Sequence, residues 1–391
     1  MHRVHHYEGD CELGDGEEPP DVRHSRNIFD NSQVRRPHQA LATTLAALVF
    51  FALLALRSGA SDGFRFLHPI QLGQRFSNPA LLLPGQVPQK GVGYDGQFVF
   101  YIAQDPFLRN PAIAPSLDNS LRFRRILLPL VAWVLSLGKP SFLPLVLVIT
   151  NALAATGVVG LAALAASRAG RSPLPALSLA LFPGLWIPAL LDLTEPLHLL
   201  LLEAGVMTGS AALLLLSGLA KETAAVAMAT EFGRAAVARD WPRMGRHAVA
   251  AAVLVAWSLF VFVSVRAHES TLGGHLLDPP GAPLLAMARS LPREPARFVL
   301  VLAATLLCVL AIARLAWARD AATWAAAAYA VVALAAGIDT WADPSAYFRV
   351  LAGAVVLSFL SWVSVRDPAG SALLVLSALV GAVSLVPLLL A

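Results

Sequence analysis

Long apolar tracts alternate with short polar segments along most of the chain. Many windows of about 18 or more residues carry no charged side chain, which is the length at which an α-helix crosses a bilayer. Spans are predicted near residues 39–56, 142–167, 173–190, 247–265, 298–316, 321–338, 350–365 and 371–390. With the apolar pieces between 195 and 240, the pattern predicts an all-α polytopic membrane protein of about ten or eleven transmembrane helices.

Residues 1–38 differ from the rest, because they are rich in His, Asp, Glu and Gly. They are expected to form a disordered N-terminal tail, and residues 39–391 the transmembrane domain. A cleaved signal peptide would have its apolar region close to the start, so the first span is expected to be retained. Arg35 and Arg36 precede this span and favour a cytoplasmic N terminus.

The chain is polar and broken by Pro and Gly from residue 57 to 119, and residues 58–141 are expected to form an external, functional loop. Within it, residues 121–137 are apolar but begin with an arginine cluster, contain Pro129 and number only about 17, fewer than a typical span. We expect an interfacial or partly inserted helix there. The positive-inside rule then leaves Arg168 and Arg171 cytoplasmic.

The same topology puts Glu195 on the external face with Asp95. Between residues 195 and 234 it requires an odd number of crossings, although two apolar pieces are evident. A short outward helix or a re-entrant bend would satisfy this requirement, and both interpretations stay open.

Composition and charge exclude several classes of protein. Hydrophobic residues make up 57% of the chain and charged residues 14%, against roughly 25% charged in soluble domains. The net charge is +4, but the arginines are scattered at the ends of apolar segments, so nucleic-acid binding has no support. The chain contains no GxxxxGK[ST] or HExxH motif.

Ionisable residues near span ends are the candidates for chemistry, because charge at membrane depth usually faces a cavity or a partner. Asp95 lies between Gly93 and Gly96, which permit unusual backbone conformations. It is either a general base that takes a proton from an acceptor hydroxyl or the cap of the helix that follows. Glu195 precedes a proline and either caps a helix, orients an acceptor, or shares a divalent cation with Asp95.

Two basic residues, Arg349 and Lys221, are further candidates for chemistry. Arg349 stands where an external loop re-enters the membrane, and it either binds a phosphate or extends to the membrane surface by snorkelling. Lys221 interrupts an apolar run, where a lysine costs about 2.5 to 3.5 kcal/mol on insertion scales. It therefore needs a partner, and Glu222 or a lipid phosphate would serve.

Five short motifs carry a resemblance to known proteins. They are GYDGQF with YIA at residues 93–103, RFRRILLPL at 122–130, LTE at 193–195, KET at 221–223 and FRV at 348–350. In order and spacing they resemble a bacterial group of GT-C integral-membrane glycosyltransferases associated with cell-surface glycopolymer formation, over roughly residue 39 to the end.

The resemblance implies a GT-C-like bundle whose external loop, residues 58–141, carries interfacial helices. It also implies a mannosyltransferase-like enzyme of the bacterial inner (plasma) membrane. Such an enzyme takes a sugar from a polyprenyl-phosphate donor to a glycan or lipid acceptor on the external face, among membrane lipids.

The resemblance also implies roles for residues. Asp95 would be the base or bind the acceptor, and Glu195 would position the acceptor or a metal. No cofactor is implied beyond a possible divalent cation on these two carboxylates. Donor phosphate ligands would be Arg125, Lys221 and Arg349. Contacts with the acceptor or within the loop would come from Tyr94, Gln97, Tyr101 and Arg124.

Two other functions fit a polytopic membrane protein. One is a transporter or flippase of lipid-linked glycans, and the other is a non-catalytic subunit of a polysaccharide assembly complex. A transporter should carry ionisable residues at mid-membrane in several spans, often with repeat symmetry. The chain gathers them at one face with no evident repeat, which favours the enzyme.

Overall fold

The computed structural model describes residues 36–265, 295–337 and 343–390, together with 278, 279, 282, 285, 286, 340 and 341. These residues form helices and turns without a β-strand, and the first loop has two isolated bridges. The prediction of an all-α polytopic membrane protein is confirmed. The expected disordered tail lies outside the described residues except at its end, since residues 37 and 38 begin the first helix.

The α-helices of the described residues are numbered α1 to α15. In chain order they are Pro37–Ala60, Gly96–Gln104, Leu121–Arg124, Leu127–Leu135, Leu143–Arg168, Leu177–Leu181, Pro183–Leu190, Glu195–Thr208, Ala211–Ala220, Ala224–Val237, Trp241–Ser264, Pro295–Ala313, Ala321–Leu334, Pro344–Ser364 and Pro368–Leu390. Six of them, α1, α5, α11, α12, α14 and α15, are long and apolar enough to cross a membrane. The count of ten or eleven spans stays a prediction, because it depends on shorter helices.

The first loop contains no crossing helix among its described residues. The apolar stretch at 121–137 forms two short helices, α3 and α4, separated at Arg125 and Ile126. The nine residues of α4 span about 14 Å, less than half of the roughly 30 Å hydrocarbon core. This agrees with the expectation of an interfacial or partly inserted segment.

Two predicted spans are shorter or broken. The segment 173–190 divides into α6 and α7 because Phe182 is extended and Pro183, which has no N–H to donate, starts a new helix. The segment 321–338 ends as a helix at Leu334.

Residues 195–237 form α8, α9 and α10, with breaks at Gly209 and Lys221. A short outward helix and a re-entrant bend both stay open as interpretations of this region.

Helix α14 is the central helix of the bundle. Of its most apolar 18-residue window, 89% is buried, against 17 to 50% for the other five long helices. It packs against α5, α7, α8, α12, α13 and α15. The contact with α7 depends on Gly184, because a Cβ atom there would lie 2.3 Å from the Phe348 carbonyl oxygen. This close approach fixes the helical turn that carries Arg349.

Replacing Gly184 tests the contact between α7 and α14. Gly184→Ala is expected to lower the free energy of unfolding by about 1 to 3 kcal/mol, because the methyl group overlaps the Phe348 carbonyl and forces the helices apart. Gly233→Ala in α10 is the control, since nothing lies within 4 Å of its added carbon and alanine favours a helix. Thermal unfolding in detergent measures both, and equal stability would contradict the packing.

Candidate active site

Arg349, on the second turn of α14, joins the two carboxylates that sequence analysis singled out. Its Nε donates to Glu195 Oε1 at 2.7 Å and its Nη2 to Asp95 Oδ2 at 3.0 Å. Its Nη1 donates to the Tyr94 hydroxyl at 3.2 Å. The side chain is 9% exposed, so it does not extend to a surface as a snorkelling arginine would. The guanidinium is buried between anionic partners.

Asp95 precedes α2, but its side chain makes no capping hydrogen bond, so the capping interpretation is wrong. Oδ1 forms a salt bridge with Arg122 Nη2 at 2.9 Å, and Oδ2 accepts from Arg349. Arg122 is itself held by two hydrogen bonds to Asp118, at 2.9 and 2.8 Å, and lies over the Phe98 ring. Both oxygens of Asp95 therefore bind guanidinium groups.

These ion pairs set the charge of Asp95. Burial of the carboxyl acts to raise its pKa, but Arg122 and then Arg349 outweigh burial and hold the pKa below the usual range of an aspartate. The carboxylate is ionised at neutral pH. While both guanidiniums stay in place, it is a weak base.

Glu195, the first residue of α8, is buried with the ammonium of Lys221. Glu195 Oε1 accepts from Lys221 Nζ at 2.9 Å and from Arg349, whereas Oε2 has no hydrogen-bond partner among the described residues. Lys221 lies in the break between α9 and α10. Its predicted need for a partner is confirmed, but the partner is Glu195. Glu222 instead accepts from Arg125, at 2.9 and 2.5 Å.

Gly96 and Gln97, which follow Asp95, hold the first loop together and bring it against the turn before α8. A Cβ atom on Gly96 would lie 2.3 Å from the Leu191 carbonyl oxygen, so only glycine lets the start of α2 touch the turn before α8. Gln97 accepts from the Gly73 amide at 3.0 Å and donates to the Val92 carbonyl at 2.7 Å. The Gln97 side chain thus holds the loop together.

Of the other three residues expected to contact the acceptor or the loop, only Tyr94 belongs to the ion-pair cluster. Tyr94 joins the cluster through its hydroxyl, which contacts Arg349 and Ser345. Tyr101 is fully buried away from the ion pairs, and its hydroxyl has no hydrogen-bond partner in the described part of the chain. The Arg124 carbonyl accepts from Trp257 Nε1 at 3.0 Å. Neither Tyr101 nor Arg124 lines the cleft beside the cluster.

A narrow cleft opens beside the ion pairs. It is lined by Asp95, Phe98, Val99, Ile102, Arg122, Arg125, Pro129, Leu193, Thr194, Glu195 and Arg349. The volume of the cleft is about 20 Å³, which is room for about one water molecule. A charged head group therefore enters only where side chains move or exchange partners.

Arg122 and Asp118 were missed as members of the site. Arg122 and Arg125 are three residues apart across the short helix α3, which puts them on one face, whereas Arg124 lies on another. Asp118 stands four residues before Arg122 and pairs with it. The spacing of the RFRR motif was the available signal, but the position at which so short a helix begins is not evident from the pattern.

The cluster balances four acidic groups against four basic groups. They are Asp95, Asp118, Glu195 and Glu222, with Arg122, Arg125, Lys221 and Arg349. The Arg349 guanidinium lies where a divalent cation shared by Asp95 and Glu195 would bind. Within the described ranges, no group of three or more His, Cys, Asp or Glu side chains is placed to hold a metal ion. The arrangement suits an anion, since a phosphate oxygen replaces a carboxylate oxygen on a guanidinium.

Comparisons of the chain with protein-family models, with curated proteins and with solved structures found no match. Function is therefore inferred from the motifs of the sequence and the geometry of the cluster.

Glu195→Ala tests the energetic importance of the buried pair. The variant is expected to lose about 3 to 5 kcal/mol of unfolding free energy, because the Lys221 ammonium stays buried without its carboxylate. Adding Lys221→Met removes that charge, so the double variant should recover part of the loss. Thermal unfolding in detergent compares the three proteins, and a single variant as stable as the wild type would disprove the buried pair.

Proposed function

We propose that the protein is a membrane glycosyltransferase that moves a sugar from a polyprenyl-phosphate donor to a glycan or lipid acceptor in cell-surface glycopolymer synthesis. One observation carries the proposal: residues from all five motifs of the resemblance meet in a single ion-pair cluster. The hydrogen bond between Arg349 and Asp95 alone joins residues 254 positions apart. Ionised carboxylates and guanidiniums on one cleft are the groups that such a transfer needs.

In the proposed reaction, the acceptor hydroxyl oxygen attacks the anomeric carbon of the donor sugar as the bond from that carbon to the phosphate oxygen breaks. The hydroxyl proton passes to the Asp95 carboxylate, which acts as general base. The departing polyprenyl phosphate gains negative charge. Arg125, Lys221 and Arg349 stabilise that charge, as preorganised donors do in other transfers of charged groups.

Donor binding and activation of the base are coupled in this scheme. The donor phosphate takes guanidinium hydrogen bonds that now go to carboxylates, those of Arg349 to Asp95 and those of Arg125 to Glu222. Guanidinium binds phosphate and carboxylate with similar bidentate geometry, so the exchange is feasible. Asp95 Oδ2 is then free to accept a proton, and the loss of a cationic neighbour raises the basicity of the carboxylate.

Glu195 has a separate role in the scheme. Oε1 is occupied by Lys221 and Arg349, while Oε2 has no partner in the described part of the chain. A buried carboxylate oxygen without a donor is costly. An acceptor hydroxyl that donates to Oε2 would satisfy it, so we assign Glu195 to acceptor orientation.

The proposal places the site on the external face of a bacterial inner membrane and the N terminus in the cytoplasm. The positive-inside rule supports this orientation, because Arg168 ends α5 and Arg171 follows it, at the end opposite to the first loop. Polyprenyl-phosphate donors lie in the bilayer, so the site has to open at the boundary between water and lipid. The short, non-spanning helix α4, whose Pro129 lines the cleft, is suited to that boundary.

Asp95→Asn tests the proposed base. Sugar transfer by purified protein in nanodiscs, measured as release of polyprenyl phosphate from defined polyprenyl-phosphate sugars, is expected to fall at least a hundredfold. Asp105→Asn is the matched control, because Asp105 lies in the same loop and accepts from the backbone amides of Phe107 and Asn110 away from the cleft. Undiminished transfer by folded Asp95→Asn would remove the base assignment. No transfer by the wild type with any donor would favour a transporter or a non-catalytic subunit.

Arg125→Gln separates donor binding from chemistry. Its partner Glu222 has 43% of its side chain exposed, so water can replace the lost ion pair and the fold should survive. The KM for the donor is expected to rise at least tenfold, since a hydrogen bond to a charged group contributes about 1.5 to 3 kcal/mol. Arg109→Gln, at an exposed arginine that stacks on Phe107, serves as control. An unchanged donor KM would show that Arg125 does not bind the phosphate.

A further inference from the structure

An apolar groove lies between α1 and α5, at the end of these helices away from the first loop. Its wall is formed by the first two turns of α1, the segment 157–164 of α5 and Leu200 of α8, and its volume is about 430 Å³. Gly157 and Gly160 add no side chain to the wall, which leaves the space open. The groove shares no residue with the cleft at Asp95.

The groove offers only hydrocarbon to a ligand. Thr44 is the one polar side chain among the described residues of its wall, and the Thr44 hydroxyl donates to the Ala40 carbonyl of its own helix at 2.9 Å. The groove is also open, since Leu41 in its wall is 58% exposed. Because α1 and α5 are both long and apolar enough to cross a membrane, the medium that meets this opening is the bilayer. A hydrocarbon chain is therefore the ligand that fits.

The length of the groove matches most of one acyl chain. Along α1 the groove extends from Pro37, the first residue of the helix, to Thr44. At 1.5 Å per residue that distance is about 10 Å. The hydrocarbon core of a bilayer is roughly 30 Å thick, so each leaflet contributes about 15 Å. A lipid whose chain lies in the groove would therefore have its head group at the start of α1.

Positive groups without partners lie at that end of the groove. Arg36 immediately precedes α1, is exposed, and its guanidinium makes no hydrogen bond or ion pair within the described part of the chain. The side chain does not cap the helix, and the backbone N–H groups of His38 and Gln39 have no acceptor among the described residues. A helix N terminus carries a partial positive charge and binds anions through such groups. An anionic head group would satisfy both the guanidinium and the helix.

A hydrogen bond holds these positive groups beside the groove. The Arg36 backbone N–H donates to Ser167 Oγ at 3.3 Å, one residue before the end of α5. The start of α1 is thereby fixed against α5, the other wall of the groove. An apolar surface and an anion-binding surface thus meet at one point, as the two ends of an amphiphile require.

We propose that this groove binds one anionic phospholipid of the surrounding bilayer. An acyl chain would lie between α1 and α5, and the phosphate would contact Arg36 and the start of α1. The inference is independent of the proposed function, because no residue of the ion-pair cluster takes part. Helices α1 and α5 precede and follow the first loop, so a lipid bound to both would stabilise the two segments that hold the loop.

Native mass spectrometry of the full-length protein in detergent tests the head-group site. The probes are phosphatidylglycerol and phosphatidylcholine with identical acyl chains, and phosphatidylglycerol is expected to bind at least fivefold more tightly. Arg36→Gln should lower the affinity for phosphatidylglycerol about fivefold, the effect of one basic residue at an anionic membrane surface, and leave phosphatidylcholine unchanged. Arg57→Gln is the matched control and should bind both lipids normally, because Arg57 is an exposed arginine in the last turn of the same helix.

Leu41→Trp tests the chain site. A phosphatidylglycerol with a photoactivatable group on one acyl chain is expected to label residues 37–44 or 157–164 of the wild type. The indole of Leu41→Trp fills the groove, so this labelling and the affinity for phosphatidylglycerol should both fall at least threefold. Folding should survive, because Leu41 is exposed. Leu45→Trp, at a leucine of α1 that is 49% exposed and outside the groove, should behave as the wild type.

Three results would overturn the proposal: equal affinity for the two lipids, a preference that Arg36→Gln leaves intact, or labelling that Leu41→Trp does not reduce. Protein dimers in the same spectra that Leu41→Trp abolishes would assign the groove to a second copy of the chain, and would overturn it as well. Loss of the preference in Arg36→Gln together with loss of labelling in Leu41→Trp would support it. None of these results depends on sugar transfer.

Discussion

A guanidinium that is withdrawn from water has to be bound on all sides, because a buried charge that loses its partner costs about 3 to 5 kcal/mol. Arg349, on α14, meets this requirement with two other segments: the loop before α2, through Tyr94 and Asp95, and the start of α8, through Glu195. Neither of these segments satisfies the guanidinium alone. The ion-pair network and the arrangement of the helices that contribute to it therefore depend on each other.

The same constraint explains why short helices end at the cleft. Helix α9 stops at Lys221, α8 begins at Glu195, and α2 begins just after Asp95. A side chain at the end of a helix lies next to a turn, where the backbone is able to bend and bring the charge to its partner. Uninterrupted spans through this region would have left the lysine facing other apolar side chains, away from the Glu195 carboxylate that offsets the cost of its burial.

Sequence reasoning predicted features that depend on local chemistry and missed those that depend on packing. The arginines and Pro129 of the segment 121–137 indicated that it does not cross, and the cost of burying Lys221 indicated a partner. The identity of that partner, Glu195, was beyond reach, because it follows from the way α8 and α9 pack. Arg122 was missed since its direction depends on where a four-residue helix begins.

The burial of α14 keeps the helix that carries Arg349 away from the lipid. Bilayers of different thickness act on helices that contact lipid, which respond by tilting or by deforming the membrane around them. Helix α14 is enclosed by other helices over most of its length, so its depth is set by protein contacts such as that between Gly184 and Phe348. The distances around Arg349 should therefore persist when the lipid composition changes, while the peripheral helices adapt.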